Sequence, residues 1–324
     1  MTLDLIGQLA WTGFATATYY SLFAMAFALV LKVNRVWDFA QAGTMVFAYF
    51  ALYVAYIELE WSLVPGLLVG LVVTVAVALM LERFGFDVFR RRNSSILTFF
   101  IFTIVFSQFA IYLAELVFGT EPKTLTPTLI SPVFMVGKIA VSHWDLKAIA
   151  VTGSLTLALY IFMRHTREGE RLVAVADNPD LAEAYGISRQ RAYAVSMTIS
   201  AVLLLGGIYL FGTKAALFPS TPLNRLLVYA VIATILAGIG NVFAAGVAAV
   251  LLSLLQAFSI LVIGSKWQAL LAYVLIFVTI IFFPRGVALP ERLSGLRRPA
   301  GPSSSDDDEG AAGEGVPAAE PRKR

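Results

Sequence analysis

Apolar residues in this chain run in long uniform blocks, and the polar residues fall between them. Nine blocks come close to the roughly 20 residues that a membrane-crossing helix needs: 10–31, 39–57, 62–81, 95–118, 146–163, 192–211, 223–239, 242–263 and 267–283. The pattern predicts an all-α polytopic membrane protein with about nine transmembrane helices, eight to ten if the last three blocks are parsed differently. Residues 1–290 form one transmembrane domain in this reading, and 291–324 a disordered cytoplasmic tail. From Pro299 the tail is rich in Pro, Gly, Ser and acid and has no apolar periodicity. In the loop 119–145, Val133 to Val136 and Ile139 to Ser142 flank Gly137-Lys138, which predicts a hairpin with a two-residue turn. The first block runs on without a small-residue cleavage site, so no cleavable signal is expected.

Composition agrees. With 59% hydrophobic and 14% charged residues among 324, and a mean hydropathy of +0.80, the chain is more apolar than a soluble core could hide. Charge then orients it. Eighteen of the 24 Lys and Arg residues fall on one side of the predicted topology, which the positive-inside rule assigns to the cytoplasm. The N-terminus is therefore expected outside and the C-terminus inside. Because the basic residues sit in loops beside apolar blocks, the net charge of +3 gives no reason to expect nucleic-acid binding. There is no Cys, and the two histidines, His143 and His165, are expected on opposite faces, so disulfides and thiolate or zinc chemistry are poor expectations.

One polar segment stands apart, Arg164 to Arg191, RHTREGERLVAVADNPDLAEAYGISRQR. Asp177 or Asn178 offers an N-cap, Pro179 stands at the first helical position, and Gly186 sits where a left-handed cap would end the helix. Leu181, Ala184 and Tyr185 share one face at i, i+3 and i+4, while Asp180 and Glu183 lie on another. A helix of about two turns is marginal in water, so it needs a surface to rest on.

Motifs for catalysis are missing. There is no G-x-x-x-x-G-K-[ST] and no H-E-x-x-H, and Ser, His and acidic residues are scattered over both faces. The expectation is a non-enzyme with no catalytic residues, no metal site and no cofactor of its own. An ion-driven carrier usually holds ionisable groups at mid-membrane. Here Lys32, Asp38, Glu82, Glu115 and Arg225 lie near block ends, where snorkelling is the default for the long side chains.

Two backbone features could line a path. In NRVWDFAQAG, Asn34 to Gly43, a block opens with Trp37, Asp38, Phe39 and Gln41 and is loosened by Gly43. A helix start of this kind can turn its N–H groups toward a polar solute, or it can be an ordinary interfacial cap. The second is the turn containing Gly238, Gly240 and Asn241, where either path lining or close packing by small residues is open.

Taken together these stretches resemble the membrane permeases of branched-chain amino acid ABC importers. Tyr20 to Tyr56 resembles that family's opening, with DFAQA where the family usually has N-F-A-[HQ]-G. RLVAVADNPDLAEAYGI is similar to its coupling loop, LAGIGNVFAAGVAAVLLSLLQ to its G-G-x-G-[SN] turn, and FFPRGV to its R-P-x-G-L terminus. Asp38, Ala42 and Ala237 depart from the usual Asn, Gly and Gly. The resemblance implies a multi-pass protein of the bacterial inner membrane that forms a translocation path for branched-chain amino acids or a similar small polar solute. It implies a second permease subunit, identical or related, an extracytoplasmic solute-binding protein, and two cytoplasmic ABC ATPase subunits that use the ATP. The helix Asp177, Asn178, Pro179, Leu181, Ala182, Glu183, Ala184, Tyr185 and Gly186 would then couple to the ATPase. A self-contained carrier or channel for a solute such as urea or an amide is the alternative, and a membrane scaffold a third reading.

Overall fold

The computed structural model describes residues 3–125, 132–215, 223–238 and 240–263, with isolated helical positions at 274, 277 and 281. Nearly everything described is helical. Among the described residues six helices are long and apolar enough to cross a membrane: Asp4–Asn34, Leu63–Arg91, Ile96–Phe118, His143–His165, Arg189–Lys214 and Val242–Leu261. The blocks expected at 39–57 and 223–239 are also helical but fall outside these six. The block expected at 267–283 lies, apart from three helical positions, outside the described residues, as does the tail.

Helix α1 (Leu3–Asn34) is the axis of the bundle. It is apolar all round, and 83% of its most apolar window is buried, against 22%, 28% and 11% for the helices beginning at Leu63, Ile96 and His143. A helix apolar on every side gains most at the centre of a bundle, whereas one that keeps an exposed apolar face suits the lipid boundary. Val64, Leu68 and Val72 on α3 (Leu63–Met80) form such a face, as do Ile101, Val105 and Phe109 on α5 (Ile96–Phe118).

Around this axis stand α9 (Arg189–Lys214), α10 (Asn224–Ala237) and α11 (Val242–Ile263), with α2 (Gln41–Tyr53), α3 and α5 forming a second group beyond α9. Small residues set the spacing. A Cβ at Gly207 of α9 would overlap the Phe23 ring of α1, and one at Gly246 of α11 would press on Met25. Gly207→Val is expected to destabilise the folded protein by about 1–3 kcal/mol, because a fully buried ring cannot yield without repacking. Thermal unfolding of the detergent-purified variant would show this as a lowered midpoint; an unchanged midpoint would mean that the helices part at no cost.

Two π-helical segments interrupt the bundle. Val54–Glu58 continues α2, and Leu81–Phe86 joins α3 to α4 (Asp87–Arg91). At one end of the bundle, β1 (Val133–Val136) and β2 (Ile139–Ser142) form the expected antiparallel hairpin around Gly137 and Lys138. It rests on the start of α1: Gln8 exchanges hydrogen bonds with Ala140 at 3.2 and 2.7 Å, and Lys138 pairs with Asp4 at 2.9 Å. Ser142 and Asp145 then form a capping box that starts α6 (His143–His165). At the opposite end α6 turns into α7 (Arg167–Asp177) and α8 (Pro179–Ala184).

Candidate functional site

The short helix α8 is built by its local sequence. Asn178, rather than Asp177, is the N-cap: its side-chain oxygen accepts from the N–H groups of Asp180 and Leu181, both at 3.1 Å, and Pro179 follows at N1. Its other end is a Schellman motif. Gly186 takes φ +81°, its N–H donates to Glu183 O at 2.9 Å, and the Ile187 N–H reaches Ala182 O at 3.0 Å. The helix thus spends its terminal donors and acceptors on itself.

What it leaves outward is apolar. Ala182 is buried, while Leu181, Ala184 and Tyr185 are exposed on one face, Tyr185 to 80%. Glu183 and Asp180 both pair with Arg189 at the start of α9, the latter at 2.9 Å, so α8 is tethered to a long bundle helix. Behind it, Leu172 and Val175 of α7 are buried, and Gly169 lets α7 fold tightly onto the end of α6, where a Cβ would strike the Phe162 carbonyl and the Met163 backbone.

Arg35, which sequence reasoning did not single out, joins this helix pair to the second candidate region. It follows the last residue of α1, in a left-handed conformation at φ 54°, and its guanidinium donates to the carbonyls of Ala176 and Asp177, each at 3.1 Å. Those carbonyls close α7, where a cation is favoured by the helix dipole. Arg35→Gly keeps the backbone geometry and removes the clamp. Faster amide exchange across 177–187, by about 1 kcal/mol of opening free energy, is the expected result. Unchanged exchange would show that the clamp carries no load.

Three residues on, the chain re-enters the bundle. The turn is tight: Phe39 N–H donates to Trp37 O and Gln41 N–H to Asp38 O, and α2 begins with Ala40 as its N-cap. Asp38 caps from two residues upstream, its Oδ1 accepting the Ala40 N–H at 3.1 Å. Asp38 and Gln41 are 1% and 2% exposed. Burial pushes the Asp38 carboxyl up to about 7, with the Ala40 N–H and the adjacent Gln41 amide acting the other way. The amide stands near enough to act on the carboxylate but is not aligned to bond it, for Asp38 Oδ2 and both polar atoms of Gln41 are without a hydrogen-bond partner. Phe39 and Trp37 pack on Phe27 of α1, and Phe39 also meets Phe100 of α5, edge to face.

The remaining expected path residues separate from this cluster. Gly43 lets α2 approach Phe106 and Ala110 of α5, a packing role. Gly238 and Gly240 take φ of 88° and 112°, and Asn241 caps α11 by accepting the Ala244 N–H at 3.1 Å, so this turn serves the α10–α11 connection. Among the described residues no hydrogen bond joins it to Asp38 or Gln41.

Glu82 lies just past the end of α3, as its place at a block end predicts, but it is not left to solvent. It is buried in the π-helical segment, paired with Arg90 and bonded by the Asn34 side-chain amide at 3.2 Å. Asn34 in turn accepts from Ser196 of α9, and Arg90 lies 4.2 Å over the Tyr193 ring. Gln190 of α9 also reaches Asp87 of α4 at 3.0 Å. The first two turns of α9 therefore carry Arg189 toward α8 and Gln190, Tyr193 and Ser196 toward the α1 end and the α3–α4 elbow.

A bundle of membrane-crossing helices with a helix-capped elbow at one end and a buried polar break beside it is the architecture of a multi-pass membrane protein. Residues 9–283 match the family described as the permease component of branched-chain amino acid transport systems, and the chain belongs to it. It is 23% identical over 292 residues to the high-affinity branched-chain amino acid transport system permease protein BraD of Pseudomonas aeruginosa, covering 85% of this chain and 93% of that one. It is 25% identical over 294 residues to the corresponding LivH protein of Escherichia coli, covering 86% and 94%. Among solved structures, PsaBC from Streptococcus pneumoniae in complex with Fab aligns with a TM-score of 0.49 at 13% identity, over 84% of this chain and 91% of that one.

Proposed function

We propose that this chain is the membrane-spanning permease subunit of an ABC importer for branched-chain amino acids or a similar small polar solute. The observation that carries the reading is α8: a fully capped helix, tethered by Arg189, that turns Leu181, Ala184 and Tyr185 outward from the protein. Exposed apolar side chains on a rigid mount are what a groove in a partner protein can grip. With 18 of 24 basic residues on one side of the topology, α8 and the C-terminus face the cytoplasm and the N-terminus lies outside. The partner is then a cytoplasmic ABC ATPase subunit, which binds and spends the ATP for which this chain has no P-loop. Closure of the ATPases displaces α8, and Arg35 and the start of α9 carry that displacement to the α1–α2 break. A second permease subunit and an extracytoplasmic solute-binding protein complete the assembly.

Reconstitution tests it. Proteoliposomes holding the permease pair, the ATPases and the binding protein are expected to take up labelled leucine or labelled urea only with ATP. Uptake by the purified chain alone, without ATP, would replace the importer with a self-contained carrier or channel; no flux with any partner set would leave a scaffold.

A further inference from the structure

A buried carboxylate oxygen and a buried amide with no partner are costly, the charged group more than the neutral one. Asp38 and Gln41 hold three such atoms between them: Asp38 Oδ2, Gln41 Oε1 and Gln41 Nε2. Helix capping does not explain them, since it uses only Asp38 Oδ1, and a Ser, Thr or Asn would serve as well. Nor does a protein cation: Arg35 is spent on the α7 carbonyls, and Arg90 on Glu82. A further unpartnered group, the Ser200 hydroxyl, precedes Ala201, whose cluster includes Ala40 of the same turn. Trp37 and Phe39 flank the carboxylate in sequence and join a run of rings through Phe27 and Phe100. The residues just before the turn, Asn34 to Trp37, line a cavity of about 180 Å³ with Arg90 and Phe100.

We infer that Asp38 Oδ2 and the Gln41 amide form a binding site for a nitrogen-bound donor group of the transported solute, an ammonium or an amide NH₂. The chemistry fits on each count. Two acceptor oxygens, one formally anionic, match a group with several N–H donors, and Gln41 Nε2 adds a donor for an adjacent carboxylate or carbonyl. The three unsatisfied atoms are then the resting state of a site that acquires its partners when a solute enters. This inference rests on the transport function proposed above and adds the class of group that the path recognises.

The test uses the purified permease–ATPase complex in nanodiscs, with thermal unfolding followed against leucine, urea and 4-methylpentanoate, which is leucine without its amine. The expected result is a rising midpoint with leucine or urea and none with 4-methylpentanoate. In Asp38→Asn, which keeps the cap, and separately in Gln41→Met, the concentration for half the rise should increase at least tenfold, with the ligand-free midpoint showing that each variant is folded. An equal response to 4-methylpentanoate, an unshifted response in both variants, or no response of the wild type to either nitrogen donor would overturn the site. Uptake separates this from the broader reading: a wild-type complex that imports leucine or urea but fails these titrations loses only the Asp38 site, whereas one with no ATP-driven uptake loses the importer reading itself.

Discussion

Gly186→Pro is expected to abolish ATP-driven uptake while leaving the chain folded in the membrane. Two independent causes act at this position. The native φ of +81° is closed to proline, whose ring holds φ near −65°. Proline also has no N–H to give Glu183 O, so the Schellman motif that ends α8 is lost with its 2.9 Å bond. The bond from Ile187 to Ala182 depends on the same turn and goes with it. Without that stop, the helix that carries Leu181, Ala184 and Tyr185 no longer has a defined end, and a groove built for it has nothing rigid to hold. Damage should stay local, because Gly186 is exposed and nothing lies within 4 Å of the space above its Cα. Uptake by the reconstituted importer, beside gel filtration of the purified variant, separates the two effects. Normal uptake would remove α8 from energy coupling. Glu183→Lys provides an orthogonal check. It places a cation beside Arg189, and since Glu183 is more than half exposed the change should cost little stability, yet it should uncouple uptake.

The second large effect is at Arg90. Arg90→Leu leaves the Glu82 carboxylate buried without its ion partner, held by the Asn34 amide alone. Breaking a buried pair from one side costs about 3–5 kcal/mol, more than keeping or deleting the whole pair. Arg90 is itself about a quarter exposed, which lets water reach the site and brings the expected loss toward 3 kcal/mol. Glu82→Gln in the same background should restore most of it, since a neutral amide can still accept from Asn34 and needs no cation. Thermal unfolding of the single and double variants measures this. A double variant no more stable than Arg90→Leu would show that the cost lies in lost packing over Tyr193 rather than in the orphaned charge.

The parts of this fold that were legible in the sequence are those settled within a turn or two of chain. The hairpin at Gly137-Lys138 and the caps of α8 are set by residues at most a few positions apart, so their chemistry stands beside them. Even there the choice between Asp177 and Asn178 needed coordinates, because both can cap and only one has the extended backbone of a cap. The burial and pairing of Glu82 were not legible for a different reason. Read at the end of an apolar block it resembles an interfacial acid, but the π-helical segment Leu81–Phe86 has a wider turn than an α-helix and shifts the direction of the side chains around it. That wider turn brings Glu82 to both Arg90 and Asn34. The path residues divide similarly. Gly238 and Gly240 are legible as a turn, but not whether that turn lines a path or only joins two helices, and Gly43 depends on where α5 passes.

Hydropathy alone determined that this is a multi-pass helical membrane protein, because in lipid a chain must satisfy its backbone within each segment and so advertises each crossing as a long apolar run. It also carried the short capped helix, since caps are local. The choice of α1 as the axis, the reach of Arg35 to α7, and the burial of Asp38 and Gln41 without partners belong to the tertiary structure. Each depends on which helices become neighbours. Apolar blocks of nearly uniform hydrophobicity carry little information about that, since it is small residues, single polar contacts and interrupted turns scattered along the chain that set the packing.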